Sequence, residues 1–294
     1  MIRRGSGEIS NKAANRAIWL EQGGKGVGLV TLLLGVAVFL LPFYVMLAMA
    51  LKDQSEVATT SMWSWPVHPT LANFVEVLTN PNVSFALFLK NTTFIAVTST
   101  IGVVISSSMA AYGFARVEFA GRDRLFLVLL ATMMLPGIVT MIPTYVMYAS
   151  IGWVNTFKPL IIPAFFGGGA FNIFLLRQFY LGIPRELDEA AVLDGANHWT
   201  IYWKVLMPLT KPALVTVGVF SFMGAWRDFM GPLLYLNEPE KQTLEVGLRT
   251  YTALRAEKWH LLMAGSVLVI IPILIIFFIG QRSFIKGIVM TGGK

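Results

Sequence analysis

The fold class this sequence predicts is an all-α integral membrane protein with six transmembrane helices, and three observations predict it. Of the 294 residues, 55% are hydrophobic and only 13% are charged, against roughly a quarter charged in an ordinary soluble domain. The charges come in clumps, separated by uncharged runs longer than the roughly 18 apolar residues that mark a membrane span. Lys and Arg are also divided unevenly between alternate connecting segments, as membrane topology requires. The net charge of +7 would point to nucleic acid in a soluble protein; in a membrane protein it records orientation, and nucleic acid is excluded as a partner. The absence of cysteine excludes disulfides, thiol catalysis and Cys-bound metal. His68, His198 and His260 are too far apart in sequence to form a metal-binding set.

The first uncharged run covers residues 27–51 and stops at Lys52 and Asp53. It follows a polar segment, 1–26, and is too long for a signal-peptide core, which predicts a first span that is retained. Residues 91–115 form span two, closed by the cluster Arg116, Glu118, Arg122, Asp123 and Arg124. The third run, 125–157, would overshoot the bilayer as one straight helix, so Pro136 and Pro143 are expected to kink it and the Gly152 region to end it. Span four covers 159–176, loosened by Pro163 and by Gly167, Gly168 and Gly169. Span six covers 261–280, followed by a tail, 281–294.

Span five needs more argument, because its apolar stretch before Arg227 covers only 213–226. Fourteen helical residues rise about 21 Å, too little to cross. Extending the helix forward to Leu236 supplies the length and places Arg227 and Asp228 inside the membrane. With six spans, fifteen of the 23 Lys and Arg residues fall on the side of the termini and eight on the other. Both termini are therefore expected in the cytoplasm.

The segment 177–212 carries the most information. Pro184 suits the first turn of a helix, and Glu186, Asp188 and Glu189 complement the dipole at that N-terminus. Gly195 is placed to close the helix in a left-handed cap, and a second amphipathic stretch runs to Pro208. Two short helices joined at a glycine are expected, lying on the membrane surface with Leu187, Ala191 and Leu193 buried and the acids free for a basic partner.

Glu189-Ala190-Ala191, Gly195 and Val205-Leu206-Met207-Pro208, at their spacing, resemble the EAA motif of binding-protein-dependent ABC importer permeases. The stretches 174–179, 183–189 and 225–229, and the tail from Phe284 to Gly293, are similar to the carbohydrate-uptake, MalG-like branch. The resemblance covers residues 27–294. Val205 and Met207 stand where Ile and Leu are usual, and Arg227 where the branch often has Asn. The resemblance implies the type I importer permease fold, with 177–212 as a cytoplasmic coupling loop docked in a cleft of an ATPase subunit. Glu189 would pair with a basic residue there, Ala190 and Ala191 would permit close approach, and Gly195 would set the turn. Arg185 and Asp194 belong to the same coupling set. The implied partners are a second, MalF-like permease, two ABC ATPase subunits, an extracytoplasmic solute-binding protein contacting residues 237–260, and membrane lipid. The implied location is a bacterial or archaeal cytoplasmic membrane.

No segment matches the phosphate-cradling pattern G-x-x-x-x-G-K-[ST]; Gly23-Gly24-Lys25-Gly26 lacks its spacing. The chain is therefore expected to bind no cofactor and not to be an enzyme, with ATP and Mg2+ used by the partner subunits. For the substrate pathway the candidates are Trp226, Arg227 and Asp228, which combine an aromatic platform with planar hydrogen-bonding groups. Intramembrane ionisable residues generally face a pathway or a partner, and the alternative is that these three hold a subunit interface or a broken span. Tyr145, Asn155 and Gly167 to Gly169 are secondary candidates, against a role in helix packing. Met133, Met134, Met141 and Met147 read as core or lipid-facing filler, and Trp63, Trp65 and Trp259 as an interfacial belt. The resemblance implies import of a carbohydrate; a sugar phosphate or polyol, or an ion-coupled transporter acting alone, are the competing readings. A metal-spaced His set or an activated nucleophile, which an intramembrane enzyme would need, is missing from the sequence.

Overall fold

The computed structural model describes residues 6–80, 85–254 and 258–292, with side chains described from residue 28 to 249, apart from 81–84, and from 258 to 281. Among these residues every regular element is helical. Span one is the membrane part, Gly28–Ala50, of a helix that runs without a break from Ser6. Span two is the helix Phe85–Arg116, the hub of the bundle, packed along spans four and five. Span one lies against span six, which in turn lies against span five.

The third run forms two helices, Arg122–Thr132 and Gly137–Ser150, set at 97°. Pro136 stands at the break in extended backbone, where it cannot continue a helix, whereas Pro143 lies inside the second helix without ending it. One proline, rather than the expected two, redirects the chain. Contacts at the two ends of the bundle show that this bent pair crosses it. Arg116, just before the pair, donates from Nη2 to the Ile183 carbonyl at 2.8 Å. Asn155, just after it, donates its N–H to the Tyr235 carbonyl at 2.6 Å. Span four, Lys158–Leu181, connects the Asn155 end to the Ile183 end, so the bent pair joins the same two ends and is a broken sixth span rather than a re-entrant loop.

Span four is itself interrupted. A short helix, Lys158–Ile161, and a 3-10 turn, Ile162–Phe165, precede three successive glycines with φ of +116°, +59° and +88°, and the helix resumes over Ala170–Leu181. Only glycine adopts such backbone in series at low cost. The carbonyls freed by the break are satisfied from side chains: Ser106 Oγ donates to Ala164 O at 2.8 Å and Asn172 Nδ2 to Gly168 O at 2.7 Å. In hydrocarbon such groups need an internal partner.

Span five departs most from expectation. Its helix runs over His198–Trp226 and stops there. The missing length comes from the N-terminal side, where the amphipathic stretch that the sequence presented as a separate helix is the first part of the span. Asn197 caps it, its Oδ1 accepting from Thr200 N at 2.9 Å. A π-helical turn, Ile201–Leu206, carries the helix past Pro208; widening the ladder there accommodates a residue that cannot donate to it. Arg227 and Asp228 consequently lie past the end of this helix rather than inside it. Arg227 is the exposed C-cap residue, and Asp228 Oδ1 accepts from Gly231 N at 3.1 Å, opening the short helix Met230–Tyr235. Span six, Trp259–Gln281, belongs to a helix that continues to Gly292; the side chains of the tail that resembles the carbohydrate branch lie outside the described residues.

At the Asn155 end, the segment after span one winds around Lys52, whose side chain is fully buried. Its Nζ donates to Thr60 Oγ1 (3.0 Å), Ser61 O (2.8 Å) and Ser64 Oγ (2.9 Å), three neutral acceptors.

Candidate functional site

The loop after span four forms the helix Glu186–Leu193, with its three acids in the first turn. Gly195 ends it at φ +82°, as expected. Gly195 N donates to Val192 O and Ala196 N to Ala191 O, both at 2.9 Å, the paired bonds of a Schellman cap. Asn197 then starts span five directly, so a left-handed turn of very few residues reverses the chain.

One residue that the sequence presented only as a topological charge fixes the base of this helix. Arg116 ends span two with its side chain 4% exposed; its Nε lies 3.1 Å from Asp188 Oδ2 while its Nη2 holds the Ile183 carbonyl. Arg185 lies 3.7 Å from Glu118 in an exposed pair. Nearby, Arg177 donates from Nε to Phe114 O at 3.2 Å and stacks over Phe126 at 4.1 Å. Span five is seated on span two by Ser108 and Tyr202, whose hydroxyls are 2.6 Å apart, and by Tyr112 Oη, 3.1 Å from His198 Nδ1.

The chain itself buries no residue of this helix: Leu187 is 43% and Leu193 89% exposed, and of the three residues expected inside only Ala191 is partly covered by other parts of the chain. One expectation is corrected, that all its acids are free, since Asp188 is held by Arg116. Glu189, Ala190, Asp194 and Gly195 are exposed, and Glu189 has no ion pair among the described residues. The helix is thus tied by one face and bare on the other. A cleft of ≈ 500 Å³ opens beside it, lined by Arg116, Arg185, Asp188, Glu189, Leu193 and His198 among others.

The pathway candidates separate into three groups. Trp226 is 2% exposed, stacked on Phe222 and donating from Nε1 to Val269 O at 3.0 Å; its rings and its N–H are used within the chain, which leaves no platform for a sugar. Tyr145 stacks on Tyr235 at 6.2 Å, and Tyr235 and Gly231 line a cavity of ≈ 340 Å³ between the Gly137–Ser150 and Met230–Tyr235 helices. Asp228 accepts from Gly231 of that lining, and Arg227, next to it in the chain, is exposed. Asn155 is apart from both, bound into the connection that follows the Met230–Tyr235 helix. Burial of Trp226 was not visible in sequence, because an aromatic residue near a span end reads the same whichever way it points.

The bundle of broken and continuous spans thus carries one anchored, outward-facing helix between its fourth and fifth members. The chain belongs to the family described as binding-protein-dependent transport system inner membrane component, which matches residues 102–289. It is 33% identical to the arabinooligosaccharides transport system permease protein AraQ of Halalkalibacterium halodurans, over 76% of this chain and 80% of that one. It is 32% identical to the trehalose/maltose transport system permease protein MalG of Thermococcus litoralis, over 74% and 79%. The fold is similar to a chain in the crystal structure of a bacterial ABC transporter involved in import of the acidic polysaccharide alginate, with a TM-score of 0.79, 25% identity, and coverage of 89% of this chain and 96% of that one.

Proposed function

We propose that this chain is one of two permease subunits of an ATP-driven importer that takes up a carbohydrate delivered by an extracytoplasmic binding protein. The observation that carries this reading is the Glu186–Leu193 helix. Its Asp188 side is pinned by a buried arginine, while Glu189, Ala190 and Leu193 are presented to solvent. An exposed acidic and apolar helix on a rigid base is a docking surface for a second protein. The EAA spacing on it supports an ATPase subunit as that protein, which uses ATP and Mg2+ while this chain binds neither. The excess of Lys and Arg supports a cytoplasmic position for the Arg116 end and both termini; the Asn155 end is then external. The relatives named for oligosaccharide and disaccharide transport support a sugar as cargo.

In the Gly137–Ser150 helix Ile138, Val139, Ile142 and Val146 are each 60% or more exposed, which suits contact with the second permease. Asp228, bonded to Gly231, and Tyr145, stacked on Tyr235, back the lining of the adjoining cavity and, with Arg227 next in the chain, are the residues best placed along a sugar's route. Glu189→Lys tests the coupling reading. The variant inserts into the membrane and leaves ATP hydrolysis by the complex intact, while sugar uptake is lost. Normal uptake by this variant overturns the assignment.

A further inference from the structure

Asn155 is the non-glycine residue with left-handed backbone among the described residues, at φ +62°. Asparagine tolerates this region better than other side chains, yet the conformation remains unfavourable for it. Its polar atoms account for the strain. The N–H donates to Tyr235 O at 2.6 Å and the carbonyl accepts from Lys241 Nζ at 2.9 Å. The side-chain Oδ1 accepts from the N–H groups of Asn237 and Glu238, both at 3.2 Å, and Nδ2 donates to Glu238 Oε1. Lys241 Nζ closes the set on Glu238 Oε2 at 2.8 Å. From the opposite side, Asn91 Nδ2 donates to the carbonyls of Glu240 (2.9 Å) and Gln242 (3.0 Å), and Thr92 Oγ1 accepts from Leu244 N at 2.8 Å.

Residues 235–244 are therefore held at one backbone group after another by the N–H and side chain of Asn155 and by the side chains of Asn91 and Thr92, while 237–240 remain exposed at the tip. An amide whose oxygen and nitrogen are both engaged within the chain has little left for a sugar. We infer that Asn155 is a positioning residue, which together with Glu238 and Lys241 presets the external 237–242 turn as a docking point for the loaded binding protein. This inference rests on the proposed binding-protein-dependent import, and it removes Asn155 from the substrate pathway.

The test uses the complete transporter, purified with its partner subunits into lipid nanodiscs and titrated with the binding protein that co-purifies from the native membrane, with ATP hydrolysis as readout. Asn155→Gly keeps the left-handed backbone and deletes only the side chain. Asn155→Asp sets two carboxylates against each other, and Asn155→Asp with Glu238→Gln restores a donor facing an acceptor. If docking needs the preset turn, the apparent affinity falls with the fraction of molecules holding it. Both single variants then raise the half-stimulating concentration of binding protein by about five- to tenfold, with the saturated rate unchanged, and the double variant returns it towards wild type. A lowered saturated rate at unchanged half-stimulation, a double variant no better than Asn155→Asp, or an Asn155→Gly complex indistinguishable from wild type overturns the inference alone. A wild-type complex that the binding protein does not stimulate overturns this inference and the importer reading together.

Discussion

The two ends of the bundle are tied by different chemistry. At the Arg116 end the tie is ionic: Arg116, buried at the foot of span two, holds Asp188 and the Ile183 carbonyl. At the Asn155 end the fasteners are mostly neutral. Asn155, Asn91 and Thr92 bond to backbone groups, and even the buried ammonium of Lys52 rests on two hydroxyls and a carbonyl. A charge pair makes the loop after span four dependent chiefly on one arginine and leaves the rest of its surface free for a partner. Distributed amide bonds fix the 237–242 turn at many points, none of them decisive alone.

The largest effect is expected from Arg116→Ala. It strands a mostly covered carboxylate and a carbonyl, and breaking such a pair costs roughly 3 kcal/mol, measured as a fall in thermal midpoint of the purified complex together with loss of uptake. Arg116→Lys recovers only part, because an ammonium lacks the fork that reaches both acceptors. Lys52→Met removes a buried cation but leaves acceptors that turn to one another or to water, so about 1–2 kcal/mol is expected in the same melting assay. A greater loss for Lys52→Met than for Arg116→Ala breaks the contrast between the two ends.

The smallest effect is on pH dependence. The Glu238 carboxyl is held below the ordinary carboxylate range, first by the Lys241 ammonium and then by the Asn155 amide. A carboxyl with a depressed folded pKa stabilises the turn above its unfolded value, near 4.3, and that contribution is lost as pH falls through the folded value. Hydrogen-exchange protection of the Asn237 and Glu238 amides is expected to hold at about pH 5 and to decline below about pH 4. Equal protection at both values would show that the carboxylate takes no part in the tie.

What was legible in the sequence follows the range of each signal. The Glu186–Leu193 helix and its Gly195 cap were readable because Pro184, the acids and the glycine act within a few residues of one another. The break at Pro136 and the interruption near Gly167 were readable for the same reason. The Arg116–Asp188 pair and the bonds of Asn155 to Asn237 and Glu238 join residues about seventy or more apart, and nothing local distinguishes those side chains from ordinary loop polar groups. The start of span five was misplaced because Pro208 reads as a boundary, whereas a π turn makes it an interior residue. The same error made Arg227 and Asp228 read as interior residues of a helix that in fact ends at Trp226. Trp226 read as a sugar platform because composition reveals its chemistry but not its burial.

The uneven continuity of the spans has a mechanical consequence. Spans three and four are jointed near their middles, so a push at one end is absorbed at the joint. Spans two and five are struts of 32 and 29 residues, about 48 and 44 Å long at 1.5 Å per residue. Span five begins at the loop that carries the Glu186–Leu193 helix and span two ends beside it, and the hydroxyls of Ser108 on Tyr202 and of Tyr112 on His198 lash them side by side at that end. Tilting such a pair by about 5° about that foot swings the far tips by roughly 4 Å. The stiffness of these two members converts a small movement at the Arg116 end into a displacement of nearly an atom-pair's width at the other, where Trp226 and the 237–242 turn are mounted.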